Sequence, residues 1–284
     1  MPDHVLLNHN LLPANAAHIP ATSEGFLFGH GVFETIKIIN GRPAFLAQHH
    51  ARLAASARAL DLPYATSLFD LGTHLRRLTS ANALTHGSAK VVLFHCDPDS
   101  IPGTGSEAPA VGELILTRAN AYSPDIYKRG FRLRSVTTSE RIHTLSAHKT
   151  LNYLANLRAK RAALVAGFDE PLFVTSAGVV IEGATTNVFA VRDGIVLTPA
   201  LDVGPLPGIA RAEVLQLLGA DNAREVVLTA DDLARADELF VTNALLGVMP
   251  VSRLDDRVLD PARAPVTQNL LAAYRRRENE SLFT

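Results

Sequence analysis

The stretch VFETIKIINGRPAFLAQHHARL, residues 32–53, decides how the first half of the chain folds. Residues 32–39 alternate as a strand with one buried face does. Asn40-Gly41 follows, the dipeptide best suited to the two positive φ angles of a type I′ hairpin turn, and residues 42–46 are expected to return as the partner strand. Beyond that point apolar residues recur at spacings of three and four, which predicts a helix over 48–62 and a second over 66–82.

Strands are expected at 90–95 and 113–118, so residues 1–118 read as a smaller α+β domain. Turn formers in ANAYSPD make 119–125 the expected interdomain linker. The remainder, 126–284, carries strand signals at 131–138, 171–176, 178–183, 186–199 and 238–243. Helices are expected near 151–166, 208–219 and 230–236, and a mixed sheet or barrel with helices follows from that alternation. The arginine run at 275–277 reads as the solvated end of a C-terminal helix.

Composition narrows the function classes. With 284 residues, 47% of them hydrophobic, the chain is able to build substantial cores without staples. Lys plus Arg (27) nearly balances Asp plus Glu (28), so the broad basic face needed for nucleic acid is not expected. No run approaches the roughly 20 apolar residues that span a bilayer, and no charged-then-apolar signal segment opens the chain. A cytoplasmic protein is expected. The single cysteine, Cys96, excludes an internal disulfide framework and reads as a buried structural thiol. The eleven histidines form none of the usual ligand spacings, and His49 and His50 point about 100° apart on a helix, so no metal is expected.

Three weaker signals gain force together. Lys149, in TLSAHKTLNYLANL, sits among small, hydroxyl and apolar residues, where burial would favour a neutral, nucleophilic amine. GPLPGIAR (204–211) ends a Gly/Pro loop at a helix start, and the free N–H groups of Ile209 and Ala210 suit a phosphate, although a plain loop and cap reads equally well. Glu182, between VVI and GATTN, is either a partly buried carboxylate in need of a donor or a turn residue capped by Thr185, Thr186 and Asn187. A Schiff-base lysine, a phosphate cradle and an acid for a pyridinium nitrogen are what pyridoxal phosphate requires.

The ordered blocks FGHGVFETIKIINGRPAFLAQHHARL, HKTLNYL, VIEGATTNVFAV, LPGIAR and DELFVTNALLGVMPV, spanning 25–251, resemble the class IV aminotransferase family of pyridoxal phosphate enzymes. The resemblance implies fold-type IV: a smaller N-terminal α/β-sandwich domain and a larger C-terminal pseudo-barrel domain carrying the Schiff-base lysine. It implies Lys149 as that lysine and as the proton carrier, Glu182 as partner of the ring nitrogen, and Arg52 as a phosphate ligand. Gly208, Ile209 and Ala210 match one phosphate-side loop, and Thr242, Asn243 and Ala244 match the second. Tyr153 and Asn187 match positions beside the cofactor, while Phe33, His95 and Leu245 are candidates for the substrate pocket.

The substrate implied is a small amine or amino acid, and family members are homodimers. TNALLGVMPV and GVFETI are similar to the 4-amino-4-deoxychorismate lyase branch. Transaminases of D-amino acids, branched-chain L-amino acids or R-amines remain the alternative, because His95, Cys96 and Asp97 stand where many relatives have an Arg-Gly pair. A non-catalytic cofactor-binding relative is the remaining alternative.

Overall fold

The computed structural model describes residues 3–96, 111–119, 122–138, 145 and 147–283. Asp97 and part of the expected linker, residues 120 and 121, lie outside these. By their contacts the residues form two units, one comprising Met1–Ala121, His148–Asn152 and Glu278–Thr284, the other Tyr122–Ala147 and Tyr153–Arg277. Lys149, expected in the C-terminal domain, therefore groups with the N-terminal unit.

The first unit contains β1 (His4–Leu7), β2 (Asn10–Pro13), α1 (Glu24–Leu27), β3 (Gly31–Ile39), β4 (Arg42–Pro43), α2 (Leu46–Ala59), α3 (Leu68–Ala81), β5 (His86–His95) and β6 (Val111–Arg118). Its sheet runs β2-β1-β6-β5-β3-β4, antiparallel throughout. Asn40 and Gly41 take φ of 51° and 72°, as a type I′ turn demands. The expected return strand at 42–46 stops at Pro43. Proline has no N–H for the ladder, Phe45 turns left-handed at φ 51°, and α2 begins at Leu46. Leu71, Leu75 and Leu78 of α3 lie on one helical face, fully buried against Ile36, Ile38, Val91 and Ile115 of the sheet.

The second unit contains α4 (Pro124–Arg129), β7 (Phe131–Thr138), α5 (Leu154–Val165), β8 (Glu170–Thr175), β9 (Val180–Gly183), β10 (Asn187–Arg192), β11 (Ile195–Pro199) and α6 (Ile209–Asn222). There follow β12 (Ala223–Val226), α7 (Ala230–Arg235), β13 (Glu238–Asn243), β14 (Gly247–Leu254), β15 (Arg257–Val258) and α8 (Pro265–Glu280). Its mixed sheet runs β12-β11-β10-β13-β14-β7-β8-β9, with β15 on β14. β9, at one end of that order, also packs on β10 and β11 near the other, so the sheet curls back on itself. Phe189 and Phe240, on the neighbouring strands β10 and β13, stack with centroids 4.7 Å apart.

One helix expectation is corrected. The helix expected from 151 starts at Leu154, because residues 149–151 run as an extended strip beside β3: Val32 bridges Thr150, and Leu151 N–H donates to Gly31 O at 2.9 Å. The arginine run is exposed yet engaged, with Arg277 Nε 3.0 Å from the buried carboxylate of Glu213 and Arg275 over the Tyr127 ring.

The strip's path depends on Gly31. A Cβ there would lie 2.4 Å from Leu93 O and 2.6 Å from Leu151 Cδ1. Gly31→Ala must therefore push β3 off Leu93 of β5 and move the Leu151 side chain, and is expected to destabilise the fold by about 1–3 kcal/mol, as overpacking does. Urea unfolding of the variant checks this.

Candidate active site

In the first unit, β3 places Val32, Glu34, Ile36 and Ile38 on the face toward α2, a row of apolar side chains interrupted by one carboxylate. His49 and Arg52, three residues apart on α2, share a helical face and converge on it. Arg52 Nε and Nη2 fork Glu34 at 2.6 and 2.7 Å, and His49 Nδ1 donates to Oε2 at 2.7 Å. Glu34 and His49 are 1% exposed. Burial raises the Glu34 pKa, but the hydrogen bonds and charges of His49 and Arg52 outweigh it and hold the carboxyl at about 2. Burial in turn pushes His49 toward its neutral form, against the attraction of Glu34.

The same helix steadies the strip that bears Lys149. Ser56, one turn beyond Arg52, lies 3.2 Å from His148 Nδ1, and Lys149 O accepts the Phe33 N–H at 2.8 Å. Lys149 is half-buried, its Nζ 4.4 Å from the centre of the Phe33 ring. Lys90 Nζ stands 4.0 Å from that ring, its pKa lowered by burial and by Arg118. Two ammonium groups thus share one aromatic ring. His95 instead stacks on His30 at 4.9 Å and faces Glu24, with Nδ1 3.5 Å from Oε2. Cys96 is fully buried, as expected.

In the second unit the turn between β9 and β10 is fastened by side chains on several sides. Tyr153 Oη and Asn156 Nδ2, on one face at the start of α5, both donate to Ala184 O, at 3.1 and 2.8 Å. Thr185 N–H, Thr185 Oγ1 and Thr186 Oγ1 donate to Glu170 Oε1 at 2.6, 2.9 and 3.3 Å, and Lys160 pairs with the other oxygen. The two threonines, which one of the two sequence readings placed as caps of Glu182, therefore serve the fully buried Glu170. Glu182 is half-buried and accepts from Leu206 N–H at 3.0 Å and Asn187 Nδ2 at 3.4 Å.

Asn187 organises what lies beside it. Its Nδ2 donates to Leu206 O at 2.9 Å, and it pairs with Thr242 across β10 and β13. Gly208 is required by this packing, because a Cβ would lie 2.0 Å from Asn187 Oδ1. Gly208 begins α6 without a capping side chain, which leaves the first N–H groups, those of Ile209 and Ala210, pointing out of the helix end. Thr242 is fully buried and its Oγ1 has no hydrogen-bond partner among the described residues. Asn243 closes the β13–β14 turn: Oδ1 accepts from Leu245 and Leu246 N–H at 2.9 and 2.8 Å, and Nδ2 donates to Thr185 O at 3.2 Å. Ala244 and Leu245 are half-buried in that turn.

The chain belongs to the class IV aminotransferase family, which it matches over residues 31–254. Members of the family are pyridoxal-phosphate-dependent enzymes, transaminases or lyases, and this chain is one of them. It is 29% identical to the D-alanine aminotransferase of Bacillus licheniformis, over 95% of each chain. It is 27% identical to the aminodeoxychorismate lyase of Bacillus subtilis, over 96% of this chain and 94% of that one. Among solved structures, the branched-chain amino acid aminotransferase of Escherichia coli superposes with a TM-score of 0.85 at 26% identity, covering 97% of this chain and 94% of the other.

The residues present fit such a cofactor's phosphate. An unpartnered, buried hydroxyl at Thr242 and an uncapped helix start at Gly208 flank the same Asn187. Sequence reasoning missed Glu34, His49, Lys90 and Glu170. Glu34 was findable as an acid in the apolar row of a strand followed by a His/Arg pair three apart.

The Glu34 carboxyl sits below its ordinary value of 4.5, so its stabilising effect is complete above that pH and is lost as pH falls toward about 2. Glu34→Gln removes one charge of a buried, forked ion pair, and a loss of about 3–5 kcal/mol at pH 7 is expected. Denaturant unfolding from pH 6 down to pH 3 checks both: the variant should start lower and fall less steeply.

Proposed function

We propose that the enzyme is a 4-amino-4-deoxychorismate lyase, releasing pyruvate and 4-aminobenzoate. The observation that carries this reading is the β13–β14 turn. There Asn243 ties its side chain to the Leu245 and Leu246 N–H groups, and Ala244 and Leu245 bring apolar side chains where transaminases of the family tend to carry a Gly/Ser-Thr-x-x-Glu pattern. Likeness to the lyase of Bacillus subtilis supports it. Lys90 supports it too, since a half-buried ammonium next to Lys149 suits a substrate that carries carboxylates.

Bound pyridoxal phosphate supplies an electron sink beside the amine-bearing carbon of the substrate. Lys149 would hold the cofactor through its amine and would serve as the base that takes the proton from that carbon. Glu182, held by Asn187 and Leu206 N–H, keeps a proton on the ring nitrogen. Ile209, Ala210 and Thr242 donate to the phosphate, with Gly208 permitting the approach. Arg52 adds charge to the phosphate side while its Nε and Nη2 edge stays on Glu34. Tyr153, through Ala184, holds the turn that presents Glu182 and Asn187. Phe33, His95 and Leu245 would serve as substrate-pocket residues in this reading. The same reading makes the protein a cytoplasmic homodimer.

A paired assay tests the reaction. Incubation with aminodeoxychorismate is expected to yield pyruvate and 4-aminobenzoate in equal amounts. Conversion of D-alanine or branched-chain amino acids to keto acids, with no aromatic product, would instead make it a transaminase. Lys149→Ala should lower turnover by about 10²–10⁴-fold or more, and retention of rate would remove Lys149 from the chemistry. Gly208→Ala should weaken cofactor binding by about tenfold, measured by titration of apoenzyme followed in absorbance, because it forces Asn187 away from the phosphate side.

A further inference from the structure

A second cluster of ligating side chains lies in the first unit, built from none of the residues given a part in the reaction above. The β1–β2 hairpin turns through Asn8 and His9, with φ of 48° and 66°. Glycine is the usual residue at the second such position, and a histidine there keeps an imidazole at some conformational cost. The turn is clamped to β6 at one residue: Asn8 N–H donates to Glu113 O at 2.8 Å, and Asn8 Oδ1 accepts from Glu113 N–H at 2.9 Å. His9 is thereby held over the Glu113 side chain, and His74 approaches it from α3.

The distances around Glu113 Oε1 are informative. His9 Nε2 lies 3.7 Å away and His74 Nδ1 3.6 Å away, and the three donor atoms all fall within 4.8 Å of one another. Those separations are too long for hydrogen bonds. They are close to the roughly 3.4 Å that separates two ligands bound tetrahedrally to one zinc ion. Glu113 is 6% exposed, and its other oxygen accepts from Thr66 Oγ1 at 3.0 Å, which orients Oε1 toward the two imidazoles. His74 Nδ1 is buried and has no hydrogen-bond partner among the described residues. The imidazole rings stand 4.6 Å apart and tilted by 31°, so protonating both would set like charges against each other. A cleft of about 520 Å³, lined by these three residues with Asn10, Tyr64 and Asp70, opens beside them.

The trio of Glu24, His30 and His95 fits a metal less well. Its rings are stacked nearly parallel, and His30 Nδ1 is already hydrogen-bonded to Glu24 Oε2 at 2.8 Å, on a carboxylate that is half exposed.

We propose that His9, His74 and Glu113 bind one divalent transition-metal ion, zinc matching the donor set best, with the open coordination position facing the cleft. Two imidazoles and one carboxylate are a known zinc set that leaves a fourth place for water or a small anion.

Calorimetric titration of the holoenzyme with Zn²⁺, followed by elemental analysis after gel filtration, tests the site. One equivalent per chain is expected. His9→Asn keeps a side chain that tolerates the left-handed turn, so it should fold normally and yet bind zinc about tenfold or more weakly. His74→Gln should do the same. Binding in the wild type no tighter than in the His9→Asn and His74→Gln double variant, or no zinc retained, would overturn the proposal.

Discussion

The carboxylate of Glu34, buried in the apolar face of β3, is the constraint on which the first unit depends. A charge in that position is costly unless it is paired and hydrogen-bonded, and α2 meets the requirement with Arg52 and His49. Meeting it fixes the helix against the strand in one register. Because Ser56 lies on the same helical face and touches His148, that register also sets where the strip bearing Lys149 runs. The position of Lys149 is thus tied to an ion pair made on the other face of the strand from Phe33.

The second unit solves a similar problem with a similar device. Glu170 is fully buried, and its oxygens are satisfied by Thr185, Thr186 and Lys160. The turn from Gly183 to Asn187 is thereby locked from one side while Tyr153 and Asn156 hold Ala184 from the other. Glu182 and Asn187, at the two ends of that turn, inherit its rigidity. In both units a buried acid outside the expected site organises residues inside it.

Local pattern made much of the fold legible. Strands at 131–138 and 238–243 appear with the expected bounds, and the Asn40-Gly41 turn adopts the positive φ angles its residues favour, whereas the single strand expected over 186–199 is the hairpin β10–β11, turned at Asp193 and Gly194 with φ of 51° and 77°. Failures occurred where a long-range contact overrode a local preference. RPAFL has strand-like residues, yet Phe45 is turned left-handed to start α2 under the sheet. The helix expected from 151 starts only at Leu154, because Leu151 is held to Gly31. The hydroxyls of Thr185 and Thr186 stand near Glu182 in sequence and serve Glu170, fifteen and sixteen residues away.

Residue order by itself determined the family, since the ordered blocks around Arg52, Lys149, Glu182 and LPGIAR are what the chain shares with it. It also determined the Asn40-Gly41 hairpin turn, whose geometry follows from two adjacent residues. Only the tertiary structure decided what each charge faces. Arg52 turned out to fork Glu34, Lys90 to share the Phe33 ring with Lys149, and His9, His74 and Glu113 to converge from a turn, a helix and a strand. No spacing rule reveals that last trio, since its members are 65 and 39 residues apart in the chain. Their proximity comes from the pairing of β1 with β6 and from α3 crossing the sheet, which are properties of the packed chain and not of any window of its sequence.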